Sequence, residues 1–261
     1  MFSTEEYLAK IGYEGPTGPT LDVLRRLQKR HMMVVPFDNS VNADTDRGLS
    51  VWDDVDIDVD KTFDELIAGG RGGLCYELNG LFRRLLVTLG YQYEILAGAV
   101  RQVDGSFGPD LEHIFGCVRL GDDLWLVDVG IAGPSYLEPL RLADEVQEQY
   151  GVQYRLFEEE GYWVVQRRPR GGTWQAIYRF RLRFRDIGEW NSPDPKLVEF
   201  PAGMIAVGTY IHSRAIDNGQ LVLIGRRLLE LEDGEERIRI LAEPDAYKET
   251  VTRILSAQEG I

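Results

Sequence analysis

The stretch Arg71-Gly72-Gly73-Leu74-Cys75-Tyr76-Glu77-Leu78-Asn79 puts one of only two cysteines at the head of a helical pattern. Leu78, Leu81, Phe82, Leu85, Leu86 and Leu89 form one apolar stripe and Gly90 stops it, so a helix is predicted over residues 75–89. In a helix's first turn the unsatisfied backbone N–H groups and the macrodipole stabilise negative charge on sulfur, which suits a nucleophile. Gly72-Gly73 is expected to let the chain turn sharply and to leave room beside the sulfur. The competing reading is a buried, inert thiol, because cysteine is among the residues most often found in cores. Cys117, mid-strand in His113-Ile114-Phe115-Gly116-Cys117-Val118, reads as core filling.

A nucleophilic thiol needs a base. His113 opens the strand pattern HIFGCVRL, and Asp128 lies in DLWLVDVG. Gly121-Asp122 between them resembles a two-residue hairpin turn with glycine first. With that turn Leu120 pairs with Asp123 and Asp128 falls opposite Phe115, so His113 and Asp128 become diagonal neighbours on one sheet face. A three-residue loop would put them on opposite faces. A carboxylate bonded to a histidine ring fixes its tautomer and stabilises the imidazolium, and such a ring can take a proton from a nearby cysteine. From spacing alone, a surface His–Asp pair beside an unrelated core cysteine fits equally well. His31 and His212 show no comparable partner in the sequence and read as structural.

The elements that must position these residues follow from periodicity. Ser3 with Glu6 reads as a capping box opening a first helix that closes near Gly12, and Thr20 opens a second helix that Pro36 ends. The alternation Asp54-Val55-Asp56-Ile57-Asp58-Val59-Asp60 indicates a short strand with one wet face. A calcium loop there fails, because Lys61 and Ile67 stand where glycine and glutamate are required. Residues 62–68 look like a short helix closed by Gly69-Gly70. From Tyr91 to about Phe184 the period is two, with turns at Asp104-Gly105, Gly121-Asp122 and Gly171-Gly172, as in an antiparallel sheet or barrel. The last third has a loop at Ser192-Pro193-Asp194-Pro195, strands at 220–232 and 236–241, and a helix from about Pro244.

The totals narrow the setting. The 261 residues contain no run of about 18 apolar positions, and the N-terminus lacks the pattern of a signal peptide. Two cysteines form no disulfide framework, and the expected location is cytoplasmic. A net charge of −14 argues against general binding to nucleic acid or anionic membranes. Three histidines and two cysteines at these spacings match no zinc signature, so no metal is expected.

"YLAKIGY" (Tyr7 to Tyr13), "HMMVVPFDN" (His31 to Asn39), "RGGLCYELN" (Arg71 to Asn79), His113 and "WLVDVG" (Trp125 to Gly130) together resemble the arylamine N-acetyltransferases. These motifs fall in the family's order and cover the first half densely, the last third loosely. The resemblance implies an α+β chain with a cysteine-protease-like Cys-His-Asp arrangement at Cys75, His113 and Asp128. It implies a helical domain over residues 1–90, an antiparallel β-barrel over 91–188 and an α/β lid over 189–261. It also implies ping-pong acyl transfer through Cys75 from an acyl thioester to an aromatic amine, with no bound metal or cofactor. Arg71 and Glu77 would support the site, and Phe37, Ile131 and Tyr136 would line the substrate pocket.

The departures point within the family. Asp38 stands where glutamate is usual, and Ile131 replaces a phenylalanine of the pocket wall, which should widen the acceptor pocket. Asn191-Ser192-Pro193-Asp194-Pro195-Lys196 replaces a hydroxyl-rich segment that members using acetyl-CoA carry. Both fit the ansamycin amide synthase branch, in which a polyketide chain passes from an acyl carrier protein to the cysteine and is closed by its own aromatic amine. Simple N-acetylation from acetyl-CoA is the alternative. A cysteine hydrolase of papain-like or transglutaminase-like order, or a non-catalytic binding module, stands further off.

Overall fold

The computed structural model describes residues 1–42, 58–191 and 209–256. Helix α1 (Thr4–Lys10) is capped by Ser3, whose hydroxyl accepts the Glu6 N–H, and α2 (Leu21–Val34) by Thr20. Strand β1 (Phe37–Asp38) and a 3-10 turn (Ser40–Asn42) follow. Residues 58–60 do not extend the expected strand. Asp58 accepts the Lys61 N–H and caps helix α3 (Val59–Phe63), which runs on as a π-helical turn over Asp64–Ala68. The rest of that Asp/Val/Ile stretch lies outside the described residues. Helix α4 (Cys75–Thr88) is where the apolar stripe places it, with its buried face made of Leu78, Leu81, Phe82, Leu85 and Leu86.

Eight antiparallel strands form a nearly closed barrel. They are β2 (Gln92–Val100), β3 (His113–Leu120), β4 (Asp123–Val127), β5 (Leu140–Arg141), β6 (Val146–Gln149), β7 (Val152–Glu159), β8 (Tyr162–Arg168) and β9 (Gln175–Phe180), in the order β5-β4-β3-β2-β9-β8-β7-β6. Phe115, Tyr136, Tyr154, Tyr178 and Phe180 fill its interior. A second cluster joins α1, α2 and α4 to the outer face of β3 and β4 through Val118, Trp125 and Val127.

The remaining seam, between β5 and β6, is bridged by side-chain amides standing in for backbone. Gln147 accepts the Arg141 N–H and donates to the Arg141 carbonyl. Gln149 accepts from the Leu137 and Glu138 N–H groups and donates to the Glu138 carbonyl.

The last third is an antiparallel sheet with one helix. It holds β10 (Ile211–Ile216), which the sequence did not announce, then β11 (Gly219–Ile224), β12 (Arg227–Glu232) and β13 (Glu235–Ile240), with helix α5 (Pro244–Leu255) packed on it. The expected strand over 220–232 is thus two strands joined by a turn. β1 from the N-terminal part supplies this sheet's other edge, pairing with β10. Among the described residues no helix is long and apolar enough to cross a membrane.

Replacing Gln149 with leucine keeps the volume but strands two N–H groups and a carbonyl. An unmet, partly buried polar group costs roughly 1–3 kcal/mol, so Gln149→Leu should lower stability by about 2–4 kcal/mol. The check is the urea midpoint, which should fall without a change in slope. A shift below about 0.5 kcal/mol would mean the seam is held otherwise.

Candidate active site

The hairpin between β3 and β4 has the expected register, Leu120 opposite Asp123 and Gly116 opposite Val127, because Gly121 adopts φ 61° at the first turn position. Asp128, one residue past β4, therefore meets His113. Nε2–H of His113 donates to Oδ2 of Asp128 at 2.7 Å, and both side chains are buried. The other ring nitrogen is left for Cys75, whose sulfur lies close enough to contribute to raising the His113 pKa. Phe115 stacks on the His113 ring at 5.6 Å, and Tyr178 lies at 5.6 Å on a tilt. Burial alone would lower the His113 pKa. The charge and hydrogen bond of Asp128, joined by those of Cys75, outweigh it and raise it to about 10. The geometry thus favours an imidazolium held between a carboxylate and a sulfur.

Cys75 is half-buried at the first position of α4. Leu74 offers no side-chain acceptor, so the first-turn N–H groups keep their positive field beside the sulfur. Glu77 reaches back to the Leu74 N–H at 2.9 Å and accepts from Arg71 at 2.7 Å, while Arg71 also bonds Glu65 and the Gly72 carbonyl. This network pins the loop before Cys75 to two helical segments.

The glycines ahead of Cys75 act differently from expectation. Neither Gly72 nor Gly73 has a positive φ. A Cβ on Gly72 would meet Asp38 Cβ at 2.6 Å, and one on Gly73 would meet Leu66 at 2.9 Å. They permit close packing against β1 and Leu66; they do not open space at the sulfur.

Two residues escaped the sequence reading. Asn79, one turn after Cys75, donates from Nδ2 to the Ile114 carbonyl (2.8 Å) and Asp128 Oδ1 (3.0 Å), and its Oδ1 accepts the Val129 N–H (3.0 Å). An asparagine inside an apolar helix stripe, where its propensity is poor, was the available signal. Gly130 donates its N–H to Asp128 Oδ1 at 2.9 Å, and a Cβ there would lie 2.7 Å from Cys75 Cα and 2.9 Å from its carbonyl.

Phe37 and Ile131 meet at a small cavity whose far wall is Ser213, Ala215 and Gln220. Tyr136 does not join them: it has no exposed surface, and its hydroxyl is bonded to Tyr178 in the barrel interior. His212, read as partnerless, faces Asp38 with Nδ1 and Oδ1 3.1 Å apart, an ion-pair approach without well-directed hydrogen-bond geometry. Burial would raise the Asp38 pKa, but His212 and the Ser40 N–H and hydroxyl hold it below the usual carboxylate value. His31 accepts or donates one bond with Tyr7 at 2.6 Å, and burial lowers its pKa to about 3, so it stays neutral. Burial pushes the Cys117 thiol up to about 12 and leaves it inert. Among the described residues no three His, Cys, Asp or Glu side chains could hold a metal. The Asn191–Lys196 segment lies, from Ser192 on, outside the described residues.

Gly130→Ala should leave the fold intact yet displace Cys75 backbone. A misplacement of about 1 Å can cost 100-fold, so acylation should slow by about that factor, read by rapid-quench mass spectrometry. An unaffected rate would show that the contact relaxes harmlessly. Asp128→Asn removes the anion that keeps His113 protonated, so fewer sulfur–imidazole pairs are ionised at pH 7. Iodoacetamide labelling of Cys75 should slow at least about tenfold there and recover above about pH 8.5, where ordinary thiols ionise. Equal labelling at pH 7 would uncouple Asp128 from the sulfur.

This arrangement suits acyl transfer through a thioester, and similarity to known proteins agrees. The N-acetyltransferase family profile matches residues 20–257. Proansamycin X synthase of Amycolatopsis mediterranei (strain S699) is 39% identical over 262 residues, covering 100% of this chain and 99% of that one. Arylamine N-acetyltransferase of Mycobacterium tuberculosis (strain ATCC 25618 / H37Rv) is 32% identical over 257 residues, covering 94% and 86%. The solved arylamine N-acetyltransferase of Mycobacterium marinum superposes with a TM-score of 0.81 at 30% identity, covering 97% of this chain and 93% of that one; it has also been solved in complex with CoA. The chain belongs to the N-acetyltransferase family and is an acyltransferase.

Proposed function

We propose that this enzyme is an amide synthase: it takes an acyl chain from a carrier-protein thioester onto Cys75 and releases it by amide formation with the chain's own aromatic amine. The observation that carries this reading is the end-to-end similarity, 39% identical, to a protein named Proansamycin X synthase. In this reading residues 1–90 bring the nucleophile, 91–188 the base and its carboxylate, and 189–261 cover the site.

The chemistry follows from the site. The Cys75 thiolate attacks the thioester carbonyl, the bond to the donor sulfur breaks, and the departing thiolate takes the proton from the His113 imidazolium. Acylation removes the anionic sulfur that helped raise the His113 pKa to about 10, so the ring holds a proton less tightly just when a base is needed. An aromatic amine is unprotonated at neutral pH and attacks the acyl-enzyme. His113 accepts its proton, Asp128 stabilises the imidazolium formed, and collapse of the tetrahedral intermediate returns the Cys75 thiolate. Arg71, Glu77, Asn79 and Gly130 act by holding these groups, while Phe37 and Ile131 wall the acceptor side.

A second reading, N-acetylation of an arylamine by acetyl-CoA, is favoured by the similarity to the Mycobacterium tuberculosis enzyme. Intact mass spectrometry separates the two, with acetyl-CoA and a long-chain N-acetylcysteamine thioester offered in parallel and Cys75→Ala as control. Loading of Cys75 by the long chain alone is expected. Acetylation discharged by an arylamine would establish the second reading, and rapid decay without amine would indicate hydrolysis.

A further inference from the structure

The ladder of β9 ends at Phe180, but its alternation does not. Tyr178 and Phe180 are buried with Arg179 between them, and the same phase runs on as Arg181-Leu182-Arg183-Phe184-Arg185. A two-faced strand pattern normally has its apolar face covered. Here Leu182, Phe184 and nearby Ile187 are 45%, 43% and 37% exposed, three of the ten large apolar side chains exposed among the described residues. Apolar side chains scattered singly need no explanation, whereas exposed apolar side chains grouped together are the kind that mark contact surfaces.

This segment borders the candidate active site. Phe180 pairs with Gly98, which pairs with His113. Arg185 donates its N–H to the Ile95 carbonyl, and the Trp190 indole donates to the Leu111 carbonyl. Ile95 and Trp190 belong to the apolar cluster that also contains Leu74 and touches Cys75.

Its charge is also out of keeping with the rest. Arg185 is well paired with Glu189 at 2.8 Å. Arg181 and Arg183 stand half or more exposed, with carboxylates only at 4.0 Å (Asp110) and 3.8 Å (Glu189). On a chain of net charge −14, an acidic partner is repelled at long range unless a local cationic strip guides it.

We propose that Arg181, Leu182, Arg183, Phe184 and Ile187 form the docking surface for the acyl carrier protein, a small acidic helical domain that presents carboxylates and apolar side chains together. This inference rests on the carrier-donor reading above. Exposed apolar side chains flanked by cations match the apolar centre and charged rim of a specific interface. The position at the rim lets the carrier's body stay outside while its thioester-bearing arm enters beside Cys75.

The test uses the full-length protein and one amine-capped acyl chain in two forms: attached to the phosphopantetheine of a bacterial acyl carrier protein, and as its N-acetylcysteamine thioester. Cys75 loading is followed by intact mass. Arg181→Glu/Arg183→Glu should raise the half-saturating carrier concentration at least about tenfold and flatten its salt dependence, while loading from the small thioester changes less than about twofold. Phe184→Ser should weaken carrier loading alone in the same way. Unchanged carrier loading in both variants would overturn the docking surface and leave the carrier-donor reading standing. An equal loss with both donors would overturn it too, placing the segment against the acyl chain. A wild-type enzyme loaded by the small thioester but never by the carrier would overturn the carrier-donor reading itself, and the docking surface with it.

Discussion

A buried carboxylate must be met by hydrogen-bond donors, and Asp128 draws three parts of the molecule together to supply them. Asn79 comes from α4, the Gly130 N–H from the loop after β4, and His113 from the start of β3. Each donor fixes one relation that a cysteine nucleophile needs. Asn79 sets the helix that carries Cys75 against the barrel, Gly130 sets the loop against Cys75 backbone, and His113 is turned toward the sulfur. The cost of removing Asp128 from water is met locally, because both its oxygens are answered by donors within the site.

The helical first part was readable because short-range chemistry determines it: Ser3 and Thr20 cap, Gly90 stops, and α4 is amphipathic. The His113–Asp128 pairing was readable because one glycine fixed the hairpin register and hence the phase of both side chains. The site's finer parts were not. Gly72 and Gly73 looked like turn residues, since nothing in a sequence tells a glycine that bends from a glycine that lets Asp38 or Leu66 approach. His212 looked isolated because its partner Asp38 is far away in the chain and is brought alongside only by pairing of β1 with β10. The same long-range event brings Ser213 and Ala215 to the small cavity that Ile131 lines. The barrel seam was hidden for a related reason: nothing in the sequence distinguishes Gln147 and Gln149, which act as surrogate backbone.

Electrostatics divides the molecule in two regimes. Inside, the buried His113–Asp128 and Asp38–His212 pairs interact through little water, so that Asp128 raises the His113 pKa and His212 lowers that of Asp38. Outside, ion pairs such as Arg26 with Asp22 or Arg237 with Glu235 are exposed and contribute little to stability, about 0–1 kcal/mol each.

β1 is only two residues long, yet it is held on both sides. Asp38 donates its N–H to the Gly73 carbonyl, and its other edge is paired with β10. The loop that leads into Cys75 is thereby fastened to a strand made much later on the ribosome. At 5–20 residues per second, roughly ten to thirty seconds separate synthesis of Asp38 from that of His212. During that interval the α1–α4 helices and the barrel can collapse, but the loop before the nucleophile lacks its outer neighbour. Cys75 thus emerges early in translation and acquires its finished surroundings only near the end.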